Sequence, residues 1–136
     1  MMIAAIAAAV AVQAAGVILP GHADLALVDG STPTACPDMS AFGAEFQPRG
    51  QRECVETGYD DIDRVAESYI AALRRDGWRL AGGAGPQYWI QRATPSGECE
   101  QIDLTGLPGE MLGRPAERAL LIFEHRAPAR CLEDRS

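Results

Sequence analysis

Few residues in this chain have the types and spacing that chemistry requires. A serine or cysteine nucleophile needs a base beside it, and the histidines are two, His22 and His125. His125 sits near the end of an apolar run with no motif around it, which predicts a surface or strand-end residue rather than a general base. The serines (Ser31, Ser40, Ser68, Ser96, Ser136) fall in turns, on a helix or at the tail, and no Gly-x-Ser-x-Gly occurs. Asp60-Asp61-x-Asp63 lacks the alternating ligands and closing Glu of a calcium loop, and it suits the positive end of a helix. Glu98 and Glu100 share one face of a strand and read as solvated. Paired carboxylates can serve acid–base hydrolysis, but nothing around these two marks a sugar cleft. Gly82-Gly83-Ala84-Gly85 runs into Pro86 and a strand, with no Lys-Ser/Thr after it. It therefore predicts a hairpin turn, not a phosphate loop leading into a helix.

The four cysteines, Cys36, Cys54, Cys99 and Cys131, read as structural. An even number in a small exported domain implies paired disulfides, and a paired sulfur is not a nucleophile. No Cys-x-x-Cys occurs and imidazoles are scarce, so the ligand spacing of a zinc site is missing. No metal or cofactor is expected. Four cysteines allow three connectivities. Cys99 and Cys131 are symmetric about Pro115, in a turn-rich stretch, so a hairpin folding there brings them together. Cys36 with Cys54 then closes the N-terminal segment.

Export is also the reading of the N-terminus. From Ile3 to Leu19 no residue is charged; Pro20 and Gly21 follow, and Gly21-His22-Ala23 places small residues at −3 and −1 of a signal-peptidase cut. The n-region lacks Lys and Arg, which departs from the pattern. A second cut fits after Ala14, behind Val12-Gln13-Ala14. The competing reading is an uncleaved anchor, at the short limit for a membrane span; membrane contact is expected only in that case. The expected division is a signal peptide over 1–23, a linker or short strand over 24–35, one α+β domain over 36–131 and a tail over 132–136.

Nineteen acidic residues against twelve basic ones give a formal charge of −7. Without a basic run the chain is a poor nucleic-acid binder, because phosphate contacts dominate that affinity. A hydrophobic fraction of 47% excludes disorder as a description of the whole chain.

The elements follow from periodicity. Ile62, Val65, Ala66, Tyr69, Ile70 and Leu73 recur at helical spacing, with aspartates before them and Gly77 after. This predicts a helix over 61–76. Strands are predicted at 78–80, 87–92, 98–104 and 117–126, joined by turns at 82–86 and 94–97 and a longer loop around Pro115. Residues 36–58, rich in Pro and Gly, read as irregular, with a short strand near 54–56. The expected fold is α+β: one helix packed on a four-stranded antiparallel meander, with an irregular disulfide-tied N-terminal segment. This order resembles cystatin-like folds in architecture alone.

A helix covers one face of such a sheet. The other face must hide Trp89, Leu120 and Ile122, either beneath residues 25–56 or against a partner protein. The expected function is therefore a small periplasmic or secreted non-catalytic domain acting by protein contacts in the cell envelope, as an accessory subunit, inhibitor or assembly factor. The alternatives are a carboxylate-dependent hydrolase of wall or polysaccharide and a small-ligand carrier.

Overall fold

The computed structural model describes residues 16–44 and 47–133. In chain order the elements are β1 (Val17–Ile18), β2 (Leu25–Ala26), β3 (Ser31–Thr34), β4 (Gln51–Gly58), α1 (Ile62–Arg75), β5 (Arg79–Ala84), β6 (Gln87–Ala93), β7 (Cys99–Pro108) and β8 (Arg118–Ala129). Strands β1 and β2 form a small hairpin; the others form one antiparallel sheet in the order β3-β4-β8-β7-β6-β5.

The sheet has six strands, not the four expected. β3 comes from the stretch read as linker or short strand, and β4 enlarges the short strand expected near 54–56 within the segment read as irregular. β4 alternates weakly by sequence because it is interior and buries residues on both faces, Cys54 on one and Val55 on the other. β3 is Ser-Thr-Pro-Thr, a poor strand by composition. It is tolerated at the edge, where a Pro need not donate to a second neighbour. Inserting β4 beside β8 makes β8 an interior strand, which accounts for its being apolar on both faces.

α1 forms where the periodicity predicts and buries Val65, Ala66, Tyr69, Ile70 and Leu73 against the sheet. It ends in a Schellman turn. Gly77 takes φ +91°, the Gly77 amide donates to the Arg74 carbonyl (3.2 Å) and the Trp78 amide to the Leu73 carbonyl (3.0 Å). Trp78 and Leu73 are both buried in the helix-side core. That core also contains Val55, Ile90, Ile102, Leu104, Leu121 and Phe123 from the sheet, and Ile18, Leu19, Ala23 and Leu25 from the β1–β2 hairpin. Thus Ile18, Leu19 and Ala23, in the latter part of the expected leader, are buried here, while Gly16, Pro20, Gly21 and His22 are exposed; the earlier part, and Ala14 with it, lies outside the described residues.

Tyr69 ties the helix to the segment before β3. The Val28 amide donates to the Tyr69 hydroxyl (3.0 Å), and Ser31 Oγ donates to the Val28 carbonyl (2.7 Å). With the serine proton used there, the Tyr69 hydroxyl donates to Ser31 Oγ (2.5 Å), closing a ring of three bonds.

A smaller core lies on the far face, away from the helix: Met39, Cys54, Leu107, Leu120 and Ile122, with Cys36 and Leu112 against it. The disulfides are Cys36–Cys54 and Cys99–Cys131. The first staples the 36–42 arm over β4; the second ties the chain after β8 to the start of β7.

Candidate functional site

Antiparallel register places one residue from each of five strands in a row across the far face: Arg52, Glu124, Asp103, Trp89 and Gly82. Each end of the row has a local cause. A Cβ on Gly82 would stand 2.8 Å from Trp89 Cε3, so glycine there lets the indole lie against the β5 backbone. The indole N–H donates to Gln87 Oε1 (3.1 Å), and Gln87 Nε2 donates to Thr105 Oγ1 (3.0 Å). The edge of the ring is thereby held in place.

The middle of the row sets two carboxylates directly opposite each other, which costs energy unless countered. Arg52 Nη2 donates to Glu124 Oε1 at 2.8 Å, with both side chains only 11% exposed. The Arg49 amide donates to the other oxygen of Glu124. Arg126 Nε donates to Asp103 Oδ2 (3.3 Å), and Gln101 Nε2 to Asp103 Oδ1 (2.7 Å). All four carboxylate oxygens accept a hydrogen bond. Above the row is a pocket of ≈ 320 Å³, walled by Met39 from the arm, by Arg49 just before β4, by Pro86 and Gln87 from the β5–β6 hairpin, and by Trp89.

Pro86 also borders a second pocket of ≈ 310 Å³ on the helix side. This one lies between the start of α1 and strands β6 and β7, floored by Leu104 and Leu121 and rimmed by Tyr59 and Tyr88. These tyrosines are 50% and 37% exposed, among the most exposed large apolar side chains described. Successive residues of a strand face opposite ways. Tyr88 and Trp89 therefore put an aromatic ring on each side of the same hairpin.

No protein family, curated protein or solved structure matches this chain.

Of the three far-face residues singled out by sequence, Leu120 and Ile122 are buried at 0% and 3% beneath the arm, whereas Trp89 is half-buried and reaches the pocket. The segment around 36–42, not a partner, is what lies over Leu120 and Ile122. Arg52, Asp103, Glu124 and Arg126 went unnoticed because no two of them are close in sequence on one element except the β8 pair. The available signal was the alternation of β7, where Gln101, Asp103 and Thr105 face away from Ile102 and Leu104.

A second polar cluster lies on the helix face of the same stretch of β8, behind Glu124, and here two expectations are corrected. His125 is buried, not a surface residue, and Glu100 is paired, not solvated. His125 Nε2 meets Glu100 Oε1 at 2.8 Å, and Arg92 Nε donates to Glu100 Oε2 at 2.9 Å. The His22 ring stacks on His125 with centroids 4.0 Å apart, and the Arg92 guanidinium lies 4.4 Å over the Trp78 ring. Burial raises the Glu100 pKa, but the hydrogen bonds from His125 and Arg92 and their charges outweigh it and hold the carboxyl below its ordinary value. The cause of the misreading is that β-strand alternation places Glu100 on the same face as Ile102, while a bulge between Cys99 and Gln101 shifts its neighbours.

Among the described residues no three His, Cys, Asp or Glu side chains converge as metal ligands, and no helix is long and apolar enough to cross a membrane.

Proposed function

We propose that this is a small exported, non-catalytic domain that acts by protein contacts in the cell envelope, with the β5–β6 hairpin as its contact surface. The observation that carries this reading is the placement of Tyr88, Trp89 and Tyr59 around one hairpin tip, each beside a pocket. Tyrosine and tryptophan are the side chains that most often dominate protein interfaces, as they bury much area with few rotatable bonds. Export is supported by the two disulfides, which are compatible with an oxidising compartment.

One observation favours a second reading, the carboxylate-dependent hydrolase: Asp103 and Glu124 face each other under a pocket. A general acid must carry a proton on an oxygen that is free to deliver it. Here every oxygen of the pair already accepts a bond, two of them from guanidinium groups, so binding is the better reading.

The test is a crosslinked pull-down of the full chain from its native envelope, read by mass spectrometry, beside the Trp89→Ala and Tyr88→Ala variants. A stoichiometric partner weakened about thirtyfold or more by Trp89→Ala, as an interface hot spot would be, supports the proposal if thermal unfolding of the variant stays cooperative. Absence of any partner while a control envelope complex survives would overturn it.

A further inference from the structure

We infer that signal-peptidase processing cuts this chain between Ala14 and Ala15, and that the apolar stretch Val17–Leu19 belongs to the mature fold rather than to the leader. The inference rests on the export reading above. The cut after Ala23 has the better-looking small residues at −3 and −1, but it severs a segment that the fold uses.

β1 pairs with β2 through Val17 opposite Ala26 and Ile18 opposite Leu25. The turn between them is closely specified. The amides of His22, Ala23 and Asp24 converge on the Leu19 carbonyl at 3.0–3.1 Å, and Asp24 Oδ1 accepts the Gly21 amide at 2.9 Å. Leu19 and Asp24 hold φ +55° and +47°, a backbone state that non-glycine residues enter only when their surroundings fix it. Leu19 is fully buried and Ile18 nearly so, both in the same core as α1.

Polar contacts say the same. The Leu19 amide donates to Glu53 Oε2 at 3.1 Å, from the interior strand β4. The His22 carbonyl accepts Arg92 Nη2 at 3.1 Å, and the His22 ring covers the buried His125. A chain starting at Asp24 would keep β2 and lose its partner strand, three core side chains (Ile18, Leu19 and Ala23) and the ring over His125. A chain starting at Ala15 keeps them all. The apolar run left to the leader, Ile3–Val12, still falls within the length of a signal h-region, about 7–15 residues.

The experiment is N-terminal sequencing and intact mass of the full chain expressed in its native export host, beside an Ala14→Arg variant that blocks the −1 position. The expected result is a single N-terminus at Ala15 in the wild type and an unprocessed chain in the variant. A start at Asp24, or an Ala14→Arg chain still trimmed to Asp24, overturns the inference and leaves export standing. A chain that keeps Met1 inside the cytoplasm overturns both.

Discussion

Replacing Glu124 by Gln removes the negative charge from a nearly buried ion pair of the far face. Arg52 and Glu124 are each 11% exposed, so solvent screens their attraction poorly. The amide keeps the shape of the carboxylate, but it must turn its NH₂ toward either Arg52 Nη2 or the Arg49 amide, both of which are donors. One bond is lost, one is weakened, and the guanidinium is left buried without its counter-charge. Breaking a buried pair on one side costs about 3–5 kcal/mol; the small remaining exposure places this case at the lower end, about 3 kcal/mol. With an unfolding entropy of about 2.1 cal/mol/K per residue, a domain of this size has about 0.25 kcal/mol/K in total. The expected fall in Tm is then about 12 °C. Replacing both partners together, Arg52→Met with Glu124→Leu, should recover at least half of that loss, because no uncompensated charge remains. Calorimetry and urea unfolding of Glu124→Gln and of the double variant measure the loss, the Tm shift and the recovery. A Glu124→Gln loss under about 1 kcal/mol would mean that the pair is screened like one on the surface. That outcome, or a double variant no more stable than the single, would overturn the estimate. Arg126→Ala is the internal control: its partner contact is longer, 3.3 Å, and its side chain 31% exposed, so it should cost less than about 1 kcal/mol.

Two further outcomes follow from buried polar groups. Tyr69→Phe keeps the ring packed edge-on against Phe123 and removes only the hydroxyl, leaving the Val28 amide without its acceptor and Ser31 without its donor. Denaturant unfolding should show a loss of about 1–3 kcal/mol, and a loss below about 0.5 kcal/mol would mean the three-bond ring does not hold the segment before β3. The Glu100 carboxyl titrates below its ordinary value of 4.5 in the folded state. Its contribution to stability is therefore fully present above the unfolded pKa and is lost as pH falls through the lower folded one. The stability difference between wild type and Glu100→Gln should be constant from pH 7 to about pH 5 and shrink at more acid pH; a difference unchanged down to pH 3 would remove the cluster from the account.

Features with local physical causes could be read along the chain. Helix α1 follows from six apolar residues at helical spacing, with aspartates at one end and Gly77 at the other, and its Schellman turn needs only that glycine. The hairpin after β5 follows from the glycines and Pro86 of 82–86, although residues 82–84 continue β5 and only Gly85-Pro86 turn; the pairing of Cys99 with Cys131 follows from the turn about Pro115. Features that depend on which strands become neighbours could not be read that way. β3 is a strand because β4 offers it an open edge, and no composition signals that in Ser-Thr-Pro-Thr. Glu124 looks like one polar residue in an apolar strand until register sets it between Arg52 and Asp103. His125 looks terminal until β1–β2 and Trp78 fold over it. Leu120 and Ile122 look like a contact surface until the disulfide arm lies across them, which leaves Trp89 at the pocket. Periodicity along one strand tells which face a residue takes; only the pairing of strands far apart in sequence tells which residues it meets there.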